Sequence, residues 1–260
     1  MPFFPVQRAA VLAILLVAGC GFGGGDRQEV IDKLRTLGVT ANPPLTEPSV
    51  AGQAPKTVEL TIFAAMPLGQ TATLTAFKDS AGASNGALIL QESEITILPD
   101  PAVYTDYNGI RIYSAKARIT IPIAAAFGKG AALPVLGAQL RYGLKIIGPS
   151  NSEQVIADIP VYPTGAPELK WQTPSIAITQ PVDGATVAIK GGVDVKATVT
   201  NPTNEPIKIG WFVTAGQIAN RRAAETSWSV KAQGTQTILV TIHGLNTRGF
   251  ALKAITVTGN

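Results

Sequence analysis

The chain has 260 residues, with 21 Lys and Arg against 17 Asp and Glu, a formal charge of +4, one histidine and one cysteine. That inventory excludes an internal disulfide, a multi-cysteine zinc site and Cys–His catalysis, and with a single dense basic pair, Arg221-Arg222, it offers no electrostatic footprint for nucleic acid. A hydrophobic fraction of 46% argues against disorder, and 26 Gly and 19 Pro among many Val, Ile, Thr and Ala fit an all-β chain of one or two domains.

At the N-terminus, Arg8 is followed by the apolar run Ala9 to Ala18. A spanning helix needs roughly 20 apolar residues, so a retained transmembrane anchor is not expected. A basic residue, a short apolar segment and small residues before a cleavage point are the requirements of a secretory signal. The segment ends in Val17-Ala18-Gly19-Cys20, which resembles the lipobox of bacterial lipoproteins. The resemblance implies that residues 1–19 are a lipoprotein signal peptide, cut between Gly19 and Cys20, and that Cys20 is the lipidation site, carrying diacylglyceryl and palmitate-type chains. The membrane is then a partner through lipidated Cys20, because two or more acyl chains hold firmly where one binds reversibly. Gly21 follows the cysteine and the first acid, Asp26, lies further on. By the same resemblance, lack of an acid just after the cysteine directs the protein to the outer membrane of the cell envelope.

Residues 20–33 read as the lipidated cysteine and a tether, in which Gly21-Phe22-Gly23-Gly24-Gly25 is flexible. Within it, Asp26 to Lys33 has weak helical character, from the spacing of Val30, Ile31 and Leu34. A first β-sandwich domain is expected over 34–163. Leu34 to Ala41 turns extended and stops at Pro43-Pro44, and Thr57 to Ala64 and Thr71 to Phe77 alternate apolar and polar residues as half-buried strands do. Ala87 to Leu98, interrupted by Gln91-Glu92-Ser93-Glu94, reads as two short strands or one strand with a bulge. Asn108-Gly109, between Tyr104 to Tyr107 and Ile110 to Tyr113, predicts a hairpin with a type I′ turn. Ala138 to Ile147 and Gln154 to Tyr162 complete this domain around the turn Gly148-Pro149-Ser150-Asn151.

Pro163-Thr164-Gly165-Ala166-Pro167 breaks the pattern, which restarts at Pro174. Residues 174–260 have the length and strand spacing of an immunoglobulin-like sandwich. The expected strands are Ile176 to Gln180, Thr186 to Ile189, Val193 to Thr200, Ile207 to Thr214, Thr226 to Lys231, Thr235 to His243 and Phe250 to Thr258. Pro181-Val182-Asp183-Gly184, Val193 to Ala197 and Gly210-Trp211-Phe212-Val213 together resemble bacterial immunoglobulin-like domains, in which a Pro-x-Asp-Gly turn precedes strands and a core tryptophan sits on the third. Thr214 to Ile218, Ala223 to Trp228 and the segment Lys33 to Pro44 are similar to bacterial surface lipoproteins with such domains. The resemblance implies two immunoglobulin-like β-sandwiches with Trp211 as a core anchor in the second, held by packing in place of the missing disulfide.

No constellation of catalytic or metal-binding residues stands out, and no cofactor is expected. His243, the lone histidine, falls at the end of a strand and reads as an exposed or edge residue. Gly19-Cys20-Gly21-Phe22-Gly23-Gly24 and Gly128-Lys129-Gly130 lack the context of phosphate-binding loops. Asp106-x-Asn108-Gly109 lacks the glutamate that closes a calcium loop. Two functions remain. The first is a noncatalytic envelope lipoprotein acting as spacer or binding module toward a protein or glycan, with Tyr104, Tyr107 and Tyr113 as the possible ligand-contact aromatics, which cross-strand packing also explains. The second is a glycan-active or other hydrolase with a carboxylate site in the first domain, for which Glu92 and Glu94 would share one face of a strand.

Overall fold

The computed structural model describes residues 29–79, 87–98, 103–127, 137–167, 173–189, 191–202, 204–244 and 249–260. The signal segment, Cys20, the glycine run 21–25 and Gly128-Lys129-Gly130 lie outside the described residues.

The first nine strands are β1 (Arg35–Asn42), β2 (Thr57–Pro67), β3 (Thr73–Phe77), β4 (Leu88–Ile89), β5 (Ile95–Ile97), β6 (Val103–Tyr107), β7 (Ile110–Thr120), β8 (Ala138–Ile147) and β9 (Ser152–Val161). The remainder are β10 (Ser175–Gln180), β11 (Thr186–Val187), β12 (Gly192–Thr200), β13 (Ile207–Val213), β14 (Gln217–Ile218), β15 (Glu225–Ser229), β16 (Gly234–Gly244) and β17 (Phe250–Gly259). The fold is all-β and built of β-sandwiches, as the alternation of apolar and polar residues predicts. Only β14, two residues long, has no counterpart in the sequence pattern.

Four sheets result. In the first, β1, β2 and β7 lie side by side, and β5 and β6 share the far edge of β7. In the second, β9 flanks one edge of β8 while β3 and β4 share the other. The third runs β11-β17-β16-β13 and the fourth β10-β12-β15-β14. Sheets one and two enclose a core that includes Leu60, Ile62, Tyr113, Ile119, Leu140 and Leu144. Sheets three and four enclose another, around Trp211, Trp228, Val195, Val240 and Ile255.

The stretch Ala87 to Leu98 resolves into neither simple alternative. β4 pairs with β8 in the second sheet and β5 with β7 in the first, so the chain changes layer between them through a 3₁₀ turn, Glu92–Glu94. Leu90 and Ile95, both buried in the core between the sheets, bracket that crossing.

The weak helix expected toward Lys33 does not form in its described part. Val30 makes a parallel bridge to Val213, with the Ile31 N–H donating to the Val213 carbonyl at 3.1 Å and the Val213 N–H to the Glu29 carbonyl at 2.7 Å. Three apolar residues at helical spacing are too few to offset the cost of a helix nucleus, whereas the edge of β13 offers backbone partners at once. Ile31 is buried, so the end of the stretch read as tether is packed into the body.

A third apolar layer joins the two sandwiches. Ile31, Leu37, Ala65, Ile110, Ile112, Leu239, Phe250 and Ala254 form one buried cluster, with Phe63, Tyr107, Phe212 and Leu252 packed against it. Its origin is the period-two geometry of strands, which sends successive side chains to opposite faces. Along β2, Leu60, Ile62 and Ala64 face the first core while Phe63 and Ala65 face the joint. Along β16, Ile238 and Val240 face the second core while Leu239 faces the joint. The sheets therefore stack in the order two, one, three, four.

Candidate functional site

The joint and the edge of β13 beside it bring together residues far apart in sequence. Phe63 and Phe250 stack across the joint with ring centroids 5.2 Å apart. His243 meets Phe250 edge-on at 5.0 Å. This corrects the reading of His243 as an exposed or edge residue: it is half-buried, because β1 crosses it at Gly38. A side chain at Gly38 would collide with the Phe250 and His243 rings, so glycine is required there by close approach.

The tip of the predicted hairpin docks on the same joint. The hairpin forms, but its turn is not the type I′ expected: Gly109 has φ +80°, whereas Asn108 lacks the positive φ that type I′ also requires of it. The Thr237 hydroxyl donates to the Asn108 carbonyl at 2.9 Å, and the Asn108 side-chain amide donates to the Thr235 carbonyl. Asp106, the first residue of the apparent calcium loop, accepts two bonds from Arg111 on the paired strand, at 2.6 and 2.8 Å. Those bonds hold the Asp106 carboxyl below the usual carboxylate range.

The three candidate ligand-contact tyrosines do not form one platform. Tyr113 is 1% exposed and belongs to the first core. Tyr104 lies opposite it, with ring centroids 5.5 Å apart, and its hydroxyl bonds the Ala72 backbone at 3.2 and 3.3 Å. Arg111 covers the Tyr104 ring at 5.1 Å. Tyr107, an odd number of residues from Tyr104, packs against the joint instead. Cross-strand packing accounts for Tyr104 and Tyr113, and contact with the second sandwich for Tyr107.

The carboxylate alternative also changes. Glu92 and Glu94 lie in the exposed 3₁₀ turn, not on one strand face, and the Glu94 carboxylate accepts the Gln91 N–H at 2.7 Å. Among the described residues, no group of three or more His, Cys, Asp and Glu could hold a metal ion. No helix among them is long and apolar enough to cross a membrane.

Two residues that carried the family resemblance have structural roles. Trp211 is fully buried, and its indole N–H donates to the Ala223 carbonyl at 2.8 Å. In the Pro-x-Asp-Gly turn, Asp183 accepts from the Thr256 N–H at 2.8 Å and from its hydroxyl at 3.1 Å, which lowers the carboxyl below its ordinary range.

Arg221-Arg222, the one dense basic pair of the sequence, lies in a turn with Arg222 exposed, and it borders the edge of β13. The Trp211 N–H donates to the Arg221 carbonyl at 3.2 Å, and the Arg222 guanidinium donates to the Ile209 carbonyl at 3.3 Å. Glu29 and Ile31 occupy the next positions of that edge, at Val213. A signal lies in the short apolar runs Trp211-Phe212-Val213 of β13 and Ile238-Leu239-Val240 of β16, which mark stretches covered on both faces.

This geometry defines a β-sandwich protein of immunoglobulin-like architecture. Residues 174–240 match the family model described as a bacterial Ig domain. No curated protein matches the chain. Similar solved structures include the fibronectin(III)-like modules of CbhA from Clostridium thermocellum, 13% identical over 85% of this chain and 94% of that one, with a TM-score of 0.31. They also include the N-terminal Ig1-2 module of the Drosophila receptor protein tyrosine phosphatase DLAR, 9% identical over 86% and 99% of the two chains, with a TM-score of 0.28.

Proposed function

We propose that the protein is a noncatalytic cell-envelope lipoprotein, held on the outer membrane by acylated Cys20, whose joined sandwiches serve as a structural or binding module toward an envelope protein or glycan. The observation that carries this reading is the position of the only cysteine. Cys20 closes Val17-Ala18-Gly19-Cys20 and stands nine residues before Glu29, which among the described residues is the first paired to the β-structure. A cysteine in that position suits attachment, and the immunoglobulin-like architecture suits a binding or structural role. The conspicuous polar and aromatic groups, Asp106, Asp183, Tyr104 and Trp211, are each engaged in holding the fold.

Mass spectrometry of the protein from washed membranes tests the anchor. The expected N-terminal peptide starts at Cys20 and carries acyl chains. Cys20→Ser is expected to leave the membrane fraction after a wash at about 1 M salt, which shortens the Debye length to about 3 Å and removes electrostatic adsorption. An unacylated peptide, or a serine variant that survives the wash on the membrane, overturns the reading.

A further inference from the structure

The chain reaches the body at its middle. Glu29, Val30 and Ile31 pair with Val213 beside the joint, so an anchor at Cys20 pulls on the seam between the sandwiches and not on one end of the stack. Nine residues extend at most about 30 Å. The edge of β13 is thus held within that distance of any surface in which Cys20 is inserted.

That edge is basic. Arg222 is exposed, Arg221 is half-exposed, and both are fixed to β13 by the bonds at Ile209 and Trp211. Arg35 lies near but is buried and bonded to Asp32 at 3.1 Å, so the charge this edge presents to solvent is that of Arg221 and Arg222. Burial lowers the Arg221 guanidinium, Arg222 and Arg35 lower it further, and Glu29 acts in the opposite sense. Positive charge is therefore concentrated where the tether enters, with Glu29 and Asp32 offsetting part of it.

From the entry point and this charge, we propose that the β13 edge, through Arg221 and Arg222, docks on an anionic bilayer surface, so that the sheets stand edge-on over the membrane with both sandwiches beside it. The proposal rests on the anchoring reading for its geometry. Its chemistry is that of guanidinium groups with phosphate headgroups, attracted within a Debye length of the surface.

The test uses the mature chain with Cys20→Ser, so that no acyl chain contributes, and vesicles of phosphatidylglycerol mixed with phosphatidylcholine or of phosphatidylcholine alone. The chain is expected to sediment with the anionic vesicles at low salt, to release as salt rises, and to ignore the neutral ones. Arg221→Glu with Arg222→Glu is expected to weaken that binding by about tenfold or more, and Arg222→Gln by about fivefold. Lys145→Glu, on β8 in the outermost second sheet, is the control and should bind as the parent does. If the double variant fails to fold, Arg222→Gln decides. Anionic binding that is unchanged by the arginine substitutions, or that falls equally with Lys145→Glu, overturns the proposal. Acylation of Cys20 is read separately by mass spectrometry, so failure of the anchor and failure of the docking edge are told apart.

Discussion

Tyr113 shows how a single side chain couples this fold to pH. Burial first, and the neighbouring Tyr104 second, push its phenol from 10.0 up to about 12. In the unfolded chain the phenol releases its proton near pH 10, whereas the folded chain holds it to about 12. Between those values the folded state binds more protons, so stability is complete below about pH 10 and falls as pH rises toward 12. Tyr113→Phe should remove that part of the slope. Urea midpoints of parent and variant at about pH 9 and about pH 11 give the comparison, and an identical drop in both proteins would show that Tyr113 does not contribute. The aromatic signal around the hairpin was legible in sequence, but its meaning was not. Which of three tyrosines faces a core, a backbone carbonyl or a second sheet depends on a register that a single strand does not display.

Among the elements, the hairpin of β6 and β7 was the most legible, because Asn-Gly marks a tight turn by local backbone chemistry, although the type I′ geometry it suggested is not the one adopted. Its tip does more than turn. With φ +80° at Gly109 and the Thr214 methyl 3.2 Å from where a Cβ would stand, Gly109→Ala meets both backbone strain and a tight contact with the neighbouring sandwich. A loss of about 1–2 kcal/mol is expected, read as a lower urea midpoint with an unchanged slope. A midpoint equal to the parent's would mean that the tip is not seated as described. The crossing between β4 and β5 was less legible for the opposite reason. Two- and three-residue strands carry too little alternation to reveal that they belong to different sheets.

Over the whole molecule, period-two patterning revealed most of the strands and the β-sandwich class, but not the order of strands within the sheets. It did not reveal the joint. Phe63, Ala65, Ile110, Ile112 and Leu239 occupy strand positions that alternation assigns to solvent, and their apolar character has meaning only once another sheet covers them. The same holds for Gly38, whose requirement comes from Phe250 and His243, over two hundred positions later in the chain. Gly38→Leu drives a side chain into both rings and should separate the layers. Calorimetry of the parent is expected to show one transition, and that of the variant a lower or divided one. A variant that melts as the parent does would show that the sandwiches do not depend on this contact.

The shared layer also bears on ancestry. Domains strung on open linkers can be copied, exchanged and reordered, since each carries a finished surface. Here each sandwich has an unfinished one, and a copy of either half moved to another protein would take with it a bare face bearing Phe63, Ile110 and Ile112, or Phe212, Leu239 and Phe250. A substitution on one face therefore alters the packing of the other, and the two sandwiches cannot be redesigned independently.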